Sequence, residues 1–108
     1  MKKVKMATSD SYQNYLVESL KDGEEAAAYI EAILEVDNPE PQLLSSALSD
    51  VIDAQLRMNN LSEAAKINWE RLQQMLVLSG GAEIYQLVAL LNTLGFSLLV
   101  NLQEEEEG

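Results

Sequence analysis

Both prolines of the chain fall in one pentapeptide, 37-DNPEP-41, and on either side of it apolar residues recur at three- and four-residue steps. That arrangement constrains the fold more than any other feature. Proline removes a backbone donor and collides with the preceding helical turn. A chain that confines it to one place leaves long stretches free to be helical on both sides. The fold class expected is therefore all-α, built from five to six short helices.

The first helix is read over about 11–20, with Tyr12, Tyr15, Leu16 and Leu20 on one side. The segment 21-KDGEEA-26 ends it and starts a second, over about 23–36, with Asp22 as N-cap and Glu24 and Glu25 favourably placed in the first turn. Ala27, Ile30, Ile33 and Leu34 line its inner side. A third, over about 41–57, turns Leu44, Ala47, Leu48, Val51, Ile52 and Leu56 inward. The last, over about 82–94, uses Ile84, Leu87, Val88, Leu90 and Leu91 and stops at Gly95, a natural C′ residue.

Beyond it, 96-FSLLVNL-102 is short, apolar and rich in strand formers, which predicts a β-strand. A lone strand leaves its backbone groups unpaired, and no second strand is read elsewhere. The expectation is pairing across a homodimer, through Phe96, Leu98 and Val100, or with a partner protein. An extended tail packed on the helices is the alternative.

A length of 108 residues with 47% hydrophobic content suits one domain with a core. The division expected is a flexible terminus over 1–9, a helical domain over 10–102 and a disordered acidic tail over 103–108. No apolar run is long enough for a membrane span, and no apolar core follows the basic start 1-MKKVKM-6, so neither a span nor a secretory signal is expected. The chain contains neither cysteine nor histidine. The usual general base, the thiol nucleophile and the two commonest transition-metal ligands are missing together, so no enzyme, metal or cofactor is expected. A cysteine-free chain also fits the reducing cytoplasm.

The formal charge of −11 is unevenly spread. Residues 10–56 hold eleven acids against Lys21 alone, while 57–98 are balanced and 104-EEEE-107 adds four acids at the end. Asp22, Glu24, Glu25, Glu31 and Glu35 would form an acidic surface suited to a basic partner, or simply a solvated helix face.

The stretch 60-NLSEAAKINWERLQQML-76 has the apolar rhythm of a helix-turn-helix. Leu61 and Ala65 would face inward from a first helix, with Ile67 in the turn. Leu72, Met75 and Leu76 would line a second helix, capped by Asn68 and beginning at Trp69. Lys66, Asn68, Trp69, Glu70, Arg71, Gln73, Gln74 and Ser79 then become the candidate DNA-binding residues. Gln and Asn pair with adenine, Glu accepts from cytosine, and Arg, Lys and Ser reach phosphate.

The segments 12-YQNYLVESLKDGEEAAAYIEAILE-35, 60-NLSEAAKINWERLQQML-76 and 84-IYQLVALLNTLGFSL-98 together resemble the addiction-module antidote proteins, antitoxins with a helix-turn-helix of the lambda-repressor type. The resemblance implies a cytoplasmic transcriptional regulator that represses its own promoter as a homodimer and neutralises a small basic toxin. Its partners would then be operator DNA and that toxin. The chain departs from the family at several points. Gly23 stands for a proline, Lys66 for the turn glycine, Ser62 for a small alanine and Trp69 for an arginine, and 72-LQQML-76 lacks the usual tyrosine and lysine. Each lost basic group removes a phosphate contact. The alternative expectation is an antitoxin-like interaction module that has shed most DNA affinity and takes a basic partner on its acidic N-terminal half.

Overall fold

The computed structural model describes residues 4–103, with side chains from Ser11 to Gln103. Five α-helices follow one another: α1 (Val4–Ser19), α2 (Gly23–Leu34), α3 (Leu43–Arg57), α4 (Glu63–Ser79) and α5 (Ala82–Thr93). Among the described residues there is no strand. Three of the helices begin and end within two residues of the positions read from sequence. α1 begins earlier, so that part of the stretch expected to be flexible is helical from Val4 on. Residues 1–3, and the acidic end over 104–108, lie outside the described residues.

Local chemistry accounts for the boundaries. Asp22 is extended, and its carboxylate accepts from the Glu24 N–H at 2.9 Å, capping α2 as expected. Gly95 has φ +93°, the left-handed conformation that ends the helical run after α5. α4 ends the same way at Gly80, φ +65°. A Cβ there would lie 3.1 Å from the Pro41 carbonyl oxygen, so glycine also lets the end of α4 approach the proline loop.

α1, α2 and α3 pack around Val17, Leu20, Ala26 and Ala54, all buried, with Leu16, Tyr29 and Val51 against them. Val17 of α1 is fully enclosed, while Tyr12 and Tyr15, read on one side with Leu16 and Leu20, are 65% and 71% exposed. Polar contacts tie the same helices together. Asp50 on α3 accepts from Gln13 Nε2 at 2.7 Å and from the Tyr29 hydroxyl at 3.2 Å. Arg57 reaches Glu18 at 2.9 Å across α1 and α3. α5 lies against α2, where the Tyr85 hydroxyl donates to the Ile33 carbonyl at 2.9 Å.

The helix-turn-helix expected over 60–76 is not formed: residues 63–79 make one uninterrupted helix. The cap sits at Ser62, whose hydroxyl accepts from the Ala65 N–H at 3.1 Å. Lys66, placed in the turn by the sequence reading, donates its backbone N–H to the Ser62 carbonyl within the first helical turn. The physical reason lies in composition. No glycine or proline occurs between 63 and 79, and Lys66 stands where a turn would need a left-handed residue. Asn68 is a weak helix former, but one such residue costs only about 0.5 kcal/mol against the bonds of a continuous ladder.

The segment 96–103 has no regular secondary structure. It folds back over its own α2, with the Val100 N–H donating to Glu31 Oε1 at 3.0 Å and Leu102 seated against Gly23. Leu98 and Val100 are half-buried there, whereas Phe96 is 62% exposed. With no strand among the described residues to pair with, the backbone takes a side-chain acceptor instead.

Candidate functional site

α2 and the C-terminal segment enclose a groove lined by Glu24, Ala27, Ala28, Glu31, Ala32 and Glu35 on one side and Val100, Asn101 and Leu102 on the other. The spacing explains it. Positions 24, 31 and 35 fall on one face of a helix, and alanines between them keep that face low enough for the three carboxylates to share an open trough. Gly23 contributes as well, because a side chain there would meet Leu102, the far wall.

Of the five acids read as a partner surface, Glu24, Glu31 and Glu35 come together in this groove. Asp22 is occupied as the N-cap, and Glu25 lies on another side of α2. Glu31 has a second role, holding the C-terminal segment through Val100. That contact was invisible in the sequence, since it joins residues 69 positions apart. No basic residue among those described lines the groove. Lys21 is held by Glu18 at 2.9 Å, and the Lys21 and Arg57 cations together keep the Glu18 carboxyl below its ordinary range.

The DNA-reading candidates divide around α4. Glu70, Gln73 and Gln74 lie together, with Val77, along one shallow depression. Lys66 is on the same side, its ammonium 3.5 Å from Glu63. Trp69 is half-buried and shares the inner face with Ala65, Leu72 and Leu76, so it does not join the polar face. Asn68 and Arg71 are exposed on the outer flank. Ser79 is taken up by the turn into α5, its hydroxyl accepting from the Gly81 N–H at 3.0 Å. Ile67, read as filling the turn, and Met75, read as inward, are 46% and 62% exposed.

No group of three or more carboxylates is arranged to hold a metal ion among the described residues. Tyr29 and Tyr85 are pushed towards their neutral forms by burial, Tyr29 up to about 12 with the Asp50 charge adding to the effect. Both hydroxyls are engaged in joining helices and neither opens on the groove. No single helix among the described residues is long and apolar enough to cross a membrane. No protein-family model matches the chain, and comparison with characterised proteins and with solved structures gives no match either.

Proposed function

We propose that this chain is a non-enzymatic interaction module of the antitoxin kind, which captures a small basic protein in the groove between α2 and the C-terminal segment. The observation that carries this reading is the convergence of Glu24, Glu31 and Glu35 on one trough with no basic side chain among the described lining residues. Carboxylates on a half-apolar floor suit arginine and lysine side chains, whose stems pack on alanine while their heads meet the acids. A net charge of −11 speeds the encounter with a cationic partner. A basic toxin, which binds RNA phosphates, is the natural partner class, and the cytoplasm is where the two would meet.

The test uses a fluorescent arginine-rich peptide as probe and measures its anisotropy with the full chain across about 50–200 mM salt. Binding that falls with salt, and drops at least tenfold in Glu24→Gln/Glu35→Gln, is expected. Equal affinity for the variant and the parent would sink the groove as the site.

A second reading, the promoter-binding autorepressor, is favoured by the grouping of Glu70, Gln73 and Gln74 along one side of α4. It predicts sequence-dependent anisotropy with the chain's own upstream duplex against a scrambled one. Binding of that kind, weakened several-fold by Gln73→Ala/Gln74→Ala, would transfer the leading role to α4.

A further inference from the structure

α4 carries apolar residues on two opposite sides and, among the described residues, has a neighbour on only one. Its inner stripe, Ala65, Trp69, Leu72 and Leu76, faces the body of the protein, and Leu76 is buried. Directly opposite run Ile67, Arg71, Gln74 and Leu78, all exposed, with Leu78 at 88% and Met75 beside it at 62%. A helix with apolar residues on both sides is ordinarily enclosed on both.

We propose that the outer face of α4 is a homodimer interface, on which a second copy of this chain lays its own α4 antiparallel. Two features select a second copy. The first is charge. Two chains of −11 repel over most of their surface, and α2 carries Glu24, Glu25 and Glu31 with no base. α4 is neutral, with Glu63 and Glu70 against Lys66 and Arg71, so it is where like copies approach at least cost.

The second feature is the order of the residues. The outer stripe steps by four, three and four, which reads the same in both directions. A two-fold axis midway between Arg71 and Gln74 therefore sets Ile67 against Leu78 of the second copy, twice, and Arg71 against its Gln74, twice. Isologous contacts require such self-complementarity. Arg71 supplies donors and the Gln74 amide an acceptor oxygen. A parallel pair would instead set Arg71 on Arg71. Arg71 has no acid partner among the described residues, unlike Lys21, Arg57 and Lys66.

One helix face supplies somewhat less than the roughly 800 Å² per partner of a stable interface. The dimer is accordingly a reversible one, and it leaves the α2 groove open on each copy.

The cysteine-free chain allows a direct test. Ile67→Cys and Leu78→Cys are made separately in the full chain, at exposed positions, and oxidised alone and mixed. Circular dichroism confirms that each is folded. A disulfide-linked dimer that forms fast only in the mixture is expected, with Val77→Cys, on the flank, failing to cross-link with either. Equal cross-linking of each variant with itself would overturn the antiparallel register, and no cross-linking in the mixture would overturn the interface. Sedimentation velocity supplies an independent readout. Leu78→Lys should weaken dimerisation by about tenfold or more, and Arg71→Leu/Gln74→Leu should strengthen it by a similar factor, since apolar residues then fill the whole seam.

Discussion

Tyr29 and Glu18 sit on the same three-helix body and make its stability depend on pH at opposite ends of the scale. Tyr29 is held neutral by burial and by the Asp50 carboxylate that accepts its proton's hydrogen bond, up to about 12 from an ordinary value of 10.0. An acid whose folded value is raised keeps its proton when the unfolded chain has already lost it. Its contribution is full below about pH 10 and is lost as pH rises towards 12. Tyr29→Phe should lower the melting temperature at neutral pH, because Asp50 loses a donor, and flatten the fall between pH 10 and 12. A fall as steep as in the parent chain would mean that Tyr29 is not its source. Glu18 has the opposite sign. Its carboxyl is held below 4.5 by hydrogen bonds from Lys21 and then Arg57. The stability it adds is present above about pH 4.5 and disappears as pH falls through the lower folded value. Thermal scans of Glu18→Gln between pH 3 and 6 should show a shallower acid limb.

The helix is the scale at which sequence and structure agree most and also part most sharply. The start of α2 was legible because Asp22, Gly23 and two glutamates form a local signal that needs no tertiary information. α4 was not, since a break and no break impose nearly the same apolar rhythm over 61–76. A turn at Lys66–Asn68 shifts the helical phase, which moves Ile67 and Met75 inside and Trp69 out. Continuity puts Ala65, Trp69, Leu72 and Leu76 on one stripe, and the two exposed residues follow from that. Asn68 decides between the two by the sign of a single substitution. In the interior of a helix Asn68→Ala improves propensity and should stabilise the protein by about 0.5 kcal/mol. As an N-cap it would cost about 1 kcal/mol instead. Ser62→Ala, which removes the cap that is formed, should cost about 1 kcal/mol. Urea denaturation of both variants checks the pair. The segment 96–102 takes the alternative reading, an extended tail packed on the helices, for a different reason. Strand formation depends on a distant partner, and here a carboxylate on α2 occupies that place.

For the whole molecule the dominant quantity is charge, and it works against folding while it serves the proposed capture of a basic partner. Eight buried hydrophobic residues among those described make a thin core for a chain that carries −11. Self-repulsion of the acidic half is relieved by salt or by a cationic ligand, so both should stabilise the fold. Neutralising the groove separates the two roles of its carboxylates. Glu24→Gln/Glu35→Gln removes two like charges from an exposed helix face and leaves Glu31 to hold Val100. One lies at the favourable start of α2 and one at its unfavourable end, so that the dipole effects offset. The variant should melt at a higher temperature than the parent in low salt, and the gap should narrow by about 0.5 M salt, where the screening length falls to a few ångströms. The arginine-rich probe should bind it more weakly under the same conditions. Gain in stability together with loss of binding is the behaviour of a site whose charges are kept for a partner. If the variant were instead less stable at low salt, Glu24 and Glu35 would be supporting the fold, and the groove would be a consequence of packing.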